Sequence, residues 1–239
     1  MRDANQDVIA IDEQILTGDL TRPLAVSADP HGCVLLLADG MGGHAEGALA
    51  SRLVVEFLVA SKSRLLDPAS CDGVLKEAHQ VLFATMDARE EVRGMGSTIV
   101  GVAMSPDRLV AFNVGDSRCY LHSSGHLIRL STDDVPATFQ GAFGVRRSHA
   151  LTQSLGGFWL PLPIDPHVAV EPPLANGETL LLCSDGLSDM VAEDEINDAL
   201  RANYPLQCVR KLTTRAFQAG ARDNYSIIVA RYDDRPKPE

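Results

Sequence analysis

The run Cys33-Val34-Leu35-Leu36-Leu37-Ala38 ends abruptly in Asp39-Gly40-Met41-Gly42-Gly43-His44. An apolar run with no polar alternation reads as a strand covered on both faces. Such a strand needs a layer of structure on each side. It also delivers a carboxylate, Asp39, to its mouth and aims it out of the core. The glycines behind it let backbone carbonyls come close to whatever Asp39 binds. Carboxylate plus carbonyl is hard-oxygen chemistry, suited to magnesium or manganese. The same residues also read as an Asp-Gly turn with a helix cap after it, and the stretch alone does not choose between the two.

Taken in order, the chain predicts a short strand over Val8–Ile11, then a polar connection from Asp12 to Pro30. After His44, helical spacing of Leu49, Leu53, Val54, Phe57 and Leu58 predicts a helix over Ala45–Ser61. A second helix is predicted over Cys71–Arg89. The period then shortens to that of strands at Ser97–Met104, Leu109–Val114, Ser117–His122 and Leu127–Leu130. Residues 131–157 read as an irregular excursion. Strands follow at Val168–Val170 and Thr179–Cys183, helices at Ala192–Arg201 and Leu206–Ala219, and a last strand at Tyr225–Tyr232. Strands cluster in runs and so do helices, which predicts an α+β fold with mostly antiparallel sheets. Two sheets face to face with helices outside would cover every apolar face. No linker or repeat breaks the chain, so residues 1–234 are expected to form one domain and residues 235–239 a polar tail.

Composition excludes some function classes. A net charge of −11 argues against unaided nucleic-acid binding. No apolar stretch is long enough to span a bilayer, and Met1–Asn5 lacks a signal-peptide apolar region. Cys33, Cys71, Cys119, Cys183 and Cys208 are scattered, with no Cys-x-x-Cys pair, and read as buried reduced thiols of a cytoplasmic protein.

Four acids share one local pattern. Asp39-Gly40, Asp116-Ser117, Asp185-Gly186 and Asp223-Asn224 each border an apolar strand, and Asp7 is a candidate fifth. Each alone reads as a turn residue. Together, if the strand ends converge, they would repel one another unless cations sat between them. An all-carboxylate cluster selects magnesium or manganese over zinc. Two such ions ~4 Å apart can hold a bridging hydroxide and clamp a phosphoryl group for in-line attack.

The segments Arg2-x-x-Asn5-Gln6-Asp7, Asp39-Gly40-Met41-Gly42-Gly43-His44, Gly96-Ser97-Thr98, Gly115-Asp116-Ser117-Arg118, Leu151-Thr152-Gln153-Ser154-Leu155-Gly156, Ser184-Asp185-Gly186-Leu187-x-Asp189 and Asp223-Asn224 occur in this order. As a set they resemble the motifs of bacterial metal-dependent Ser/Thr protein phosphatases, the PPM or type-2C family, over nearly the whole chain. The resemblance implies a four-layer α-β-β-α sandwich with two Mn or Mg ions, and a weaker third, at one edge of the sheets. It implies that Asp39 bridges both ions with the Gly40 carbonyl on one, and that Asp185 and Asp223 hold one ion and Asp7 the other. Asp116, with Asp185, would match the weaker site. Arg2 would bind the substrate phosphate, and His44 would be the general acid for the leaving serine or threonine oxygen. The alternative for His44 is a cap at a helix start.

The implied partner is a phosphorylated protein, a Ser/Thr kinase or its target, with no nucleic acid or membrane involved and a monomeric enzyme. Two other readings stay open: a phosphoprotein-binding pseudophosphatase, and a phosphatase of small phosphoesters or phosphohistidine. The chain departs from the family pattern in three places. Met1 directly precedes Arg2 where a strand is usual, so the chain reads either as truncated or as given a misplaced start. Asp133-Asp134-Val135 stands where the family has Asp-His-Ser. The stretch from there to Leu151 is short, which predicts a reduced flap beside the site.

Overall fold

The computed structural model describes residues 5–29, 32–136, 139–141, 144–146, 150–220 and 223–234; at 44, 45, 139–141 and 144–146 it describes the backbone alone. In chain order the strands begin with β1 (Val8–Ile11), β2 (Gln14–Thr17), β3 (Cys33–Ala38) and β4 (Gly40–Met41). Helices α1 (His44–Ala60), α2 (Lys62–Leu65) and α3 (Pro68–Ala88) follow. Next come β5 (Gly96–Ser97), β6 (Ile99–Met104), β7 (Leu109–Val114), β8 (Arg118–Ser123) and β9 (His126–Arg129). Three short strands, β10 (Phe139–Gly141), β11 (Gly144–Arg146) and β12 (Leu155–Gly156), precede β13 (His167–Glu171) and β14 (Thr179–Cys183). Helices α4 (Asp185–Ser188), α5 (Glu193–Leu200) and α6 (Pro205–Gln218) lead to β15 (Ile227–Arg231).

Two sheets dominate. One has six strands in the order β13-β7-β6-β3-β1-β2, the other four in the order β15-β14-β8-β9, and every pairing is antiparallel. Alternate side chains of β3 explain why the whole strand is buried. Leu35 and Leu37 point to the layer between the sheets, with Val100, Val102, Leu180 and Leu182. Val34 and Leu36 point the other way, onto Val54, Leu58, Val74 and Leu82 of α1 and α3. The outer face of the second sheet carries Tyr120, Leu181 and Cys183 onto Ile196, Leu200, Leu212 and Ala216 of α5 and α6. The result is the expected α-β-β-α sandwich, each interface closed by period-2 strands and helical stripes.

Local chemistry sets the element ends. Asp67 caps α3 by accepting from Ala69 N at 3.2 Å, and Pro68 takes the first helical position, where no N–H is needed. All five cysteines are free and buried. No helix among the described residues is long and apolar enough to cross a membrane.

Three expectations need correction. The connection from Asp12 to Pro30 contains β2, an edge strand bonded only to β1. The predicted strand Ser97–Met104 breaks at Thr98, and its first part turns aside to pair with β4 and β12. The excursion 131–157 holds the β10–β11 hairpin and β12. The reduced flap falls largely on residues outside those described, as do Arg2 and the tail 235–239.

Candidate metal centre

Antiparallel pairing places the acids. Val8 faces Ala38 across the β1–β3 ladder, so Asp7 and Asp39 are the next residues outward on the same edge. In the second sheet Cys183 faces Ile227, which brings Asp185 and the residues before β15 to one end. Asp116 lies in the turn between β7 and β8, which belong to different sheets. Strand ends of both sheets therefore meet at one edge.

Asp7 is 3% exposed, and its Oδ2 accepts a hydrogen bond from Ser184 Oγ at 3.0 Å. Asp39 acts on the carboxyl groups of both Asp7 and Asp185, favouring their charged forms. Burial raises Asp7 above the usual carboxylate range, with the charge of Asp185 adding to it. Burial also raises Asp185, followed by repulsion from Asp223 and Asp189. Burial and then the charge of Asp185 push Asp116 up to about 7. Asp7, Asp39, Asp223 and Asp116 thus each lie within electrostatic reach of Asp185. Asp189, in the same motif as Asp185, is exposed yet acts on Asp185 and Asp116.

The carboxylates converge without forming a finished ligand shell. Among the described residues no three His, Cys, Asp or Glu side chains stand ready to hold an ion as they are. Asp7 Oδ1 and Asp185 Oδ1 remain buried without a hydrogen-bond partner. Oxygen-only donors and unsatisfied buried oxygens fit a hard divalent cation.

Backbone approach matters as much as side chains. A Cβ on Gly40 would overlap the Gly47 carbonyl of α1, and one on Gly186 would overlap the Asn224 carbonyl. Each Asp-Gly pair thus lets its turn sit hard against a neighbouring segment. Asp39 is gripped from behind: Thr98 N donates to its carbonyl at 2.8 Å, Ser97 Oγ does so at 3.0 Å, and its own N–H donates to Thr98 Oγ1 at 3.1 Å. Gln6 Nε2 bonds the Gly43 carbonyl, and Ser51 Oγ donates to the Gln6 carbonyl at 2.6 Å, tying α1 to β1. His44 opens α1 behind the glycines, and its side chain lies outside the description. Arg118 forks onto Asp133 at 2.6 and 3.1 Å.

Sequence reasoning gave Ser184, Thr98 and Asp134 no role of their own. The first two lie inside quoted motifs, so their position was visible and their bonding was not. His167 belongs to none of the quoted motifs, and its Nε2 lies 2.8 Å from Asp134 Oδ1.

Residues 12–220 match the protein phosphatase 2C family model. The serine/threonine protein phosphatase PstP of Mycobacterium tuberculosis is 30% identical over 213 residues, covering 82% of this chain and 40% of that protein. The chain therefore spans well under half the length of the mycobacterial relative. The serine/threonine phosphatase stp of Listeria monocytogenes is 30% identical over 223 residues, 84% of each chain. Among solved structures, the catalytic domain of PstP in complex with two manganese ions superposes with a TM-score of 0.71 at 28% identity, covering 95% of this chain and all of that one. The S. agalactiae serine/threonine phosphatase gives a TM-score of 0.78 at 25% identity, covering 97% and 95%.

Proposed function

The chain belongs to the protein phosphatase 2C family, and on that premise we propose that it hydrolyses phosphoserine and phosphothreonine in proteins with the help of two Mn or Mg ions. The carrying observation is the meeting of Asp7, Asp39, Asp185 and Asp223 at one edge of both sheets, with two buried carboxylate oxygens left unpartnered. Asp39, Asp185 and Asp223, with Asp7 and the Gly40 carbonyl, would hold the ions, and Asp116 would serve a weaker one. Bound there, the ions would supply Lewis acidity toward the phosphoryl oxygens and a water acidified toward neutral pH.

The chain's own groups do the rest. A phosphoester is anionic, and the ions would have to offset the acid cluster's repulsion of it. Arg2 would receive the phosphate oxygens in its forked guanidinium. Water attacks phosphorus, the bond to the serine or threonine oxygen breaks, and that oxygen needs a proton. His44, at the start of α1 behind Asp39, would give it. Residues 1–234 would act as one catalytic domain, working as a monomer in the cytoplasm on a Ser/Thr kinase or its target. The five free cysteines suit that reducing setting.

The test is phosphate release from a phosphothreonine peptide. Release should stop in chelator, return with Mn, and be lost in Asp39→Asn and Asp185→Asn. Full activity after exhaustive chelation would overturn the reading. Turnover of p-nitrophenyl phosphate but no phosphopeptide would move it to small phosphoesters, and Mn binding without either activity to a binding module.

A further inference from the structure

Asp134 lies outside the acid cluster, and the proposed chemistry does not use it. Its side chain is only 8% exposed, and both oxygens are engaged. Oδ2 accepts from the backbone N–H of Gly115 at 2.7 Å. Oδ1 accepts from Gln153 Nε2 at 2.9 Å and bonds His167 Nε2 at 2.8 Å. The Asp134 N–H donates to the Gly115 carbonyl at 3.0 Å, and its own carbonyl accepts from Thr152 N at 2.8 Å. One residue therefore holds both polar backbone groups of Gly115.

Gly115 immediately precedes Asp116. Its φ is +105°, and a Cβ there would come within 2.7 Å of the Thr98 side chain. On the far side of Asp116, Ser117 Oγ and Thr98 Oγ1 are 2.8 Å apart, and that same Thr98 oxygen accepts from Asp39 N. The Asp116 carboxylate thus projects from a turn pinned by Asp134 on one side and by Thr98 on the other. A carboxylate is the right group for this post. It accepts from three donors at once, whereas an amide would set its own NH₂ against one of them.

We propose that Asp134 is a positioning residue for Asp116: it fixes the turn from which Asp116 reaches Asp185, and so sets how tightly an ion is held at that outer edge of the cluster. Where the motif has histidine this chain has Asp134, and a histidine arrives instead from β13. The functional meaning rests on the phosphatase reading above; the geometry does not.

The experiment is Mn titration by calorimetry, with the Mn concentration giving half-maximal phosphate release as a second readout. Loss of such an orienting partner costs about 10–100-fold in ion affinity. Asp134→Asn should weaken the weakest Mn step by roughly tenfold or more and leave the tighter steps unchanged. In an Asp116→Asn background, Asp134→Asn should add nothing, because it acts through Asp116. His167→Leu, which spares the Gly115 bonds, should produce a smaller loss in the same step and decides the matter if Asp134→Asn fails to fold. An unchanged isotherm in both single variants would overturn the proposal. So would an equal effect with and without Asp116, or a loss spread evenly over all steps. If the unsubstituted protein binds no Mn, the phosphatase reading falls and this proposal with it. If it binds Mn and the variants match it, only this proposal falls.

Discussion

Ser184 donates to Asp7 Oδ2 across 3.0 Å, and this bond joins the second sheet to the first strand of the other. Ser184 Oγ in turn accepts from Ser226 N at 3.0 Å. A backbone N–H of one sheet is thereby relayed through one hydroxyl to a buried carboxylate of the other.

Ser184→Ala should cost stability, because it strands a buried carboxylate oxygen and the half-buried Ser226 N–H at once. Leaving a buried polar group unsatisfied costs about 1–3 kcal/mol. The urea midpoint measured in chelator should fall accordingly with an unchanged m-value. Mn affinity should fall too, since Asp7 loses the group that orients it. A midpoint equal to that of the unsubstituted protein would show that the bond carries no weight.

The metal-free protein should be less stable at pH 8 than at pH 5. Asp116 is raised from 3.8 to about 7, and Asp7 and Asp185 are raised as well. The folded state therefore keeps protons that the unfolded chain would release. That contribution is complete below 3.8 and is lost as pH climbs through the raised values, up to about 7 for Asp116. Melting temperatures in chelator should drop across this window, and saturating Mn should flatten the drop. A flat profile in chelator would contradict the assigned shifts.

Two glycines should answer alanine in opposite directions. Gly73 lies within α3 with nothing within 4 Å of a would-be Cβ, so Gly73→Ala should stabilise by roughly 0.5–1 kcal/mol through helix propensity. Gly40 meets the backbone of Gly47, which cannot rotate away. Gly40→Ala should destabilise by at least about 1–3 kcal/mol, the usual cost of overpacking. Denaturant melts of the pair give both signs in one experiment.

His44→Ala separates a general acid from a helix cap. A general acid is worth roughly 10²–10⁴ in rate when the leaving group needs a proton. A threonine oxygen needs one and nitrophenolate does not. The variant should lose far more activity on a phosphothreonine peptide than on p-nitrophenyl phosphate. Equal losses on the two, with a lower melting temperature, would leave His44 as a cap.

The strands most legible in the sequence were those buried on both faces. Cys33–Ala38 and Thr179–Cys183 were delimited to the residue, since each run is too short for a buried helix and its borders are polar turns. Gln14–Thr17 escaped because an edge strand bonded on one side shows little apolar signal. The break at Thr98 escaped because threonine suits a strand, and only its bonds to Asp39 and Ser117 pull it out of line. Helix α4, four residues long, is too short for any periodicity. At the site, the sequence showed which strands end in acids. That the ends meet follows from antiparallel pairing across two sheets. The work of Ser184 and Asp134 is bonding between segments far apart in the chain, which no local pattern records.

The distance of 177 residues between Asp7 and Ser184 has a consequence for how the protein is made. A chain leaving the ribosome presents Asp7 and Asp39 early, on strands that pair with each other. Asp185 and Asp223 emerge only with β14 and β15, after nearly all the rest. Closing so long a loop is entropically costly, and nothing local rewards it beforehand. A nascent chain halted before β14 therefore carries Asp7, Asp39 and Asp116 but neither Asp185 nor Asp223, and cannot complete the cluster. The cluster is complete only once β14 and β15 have joined the earlier strands.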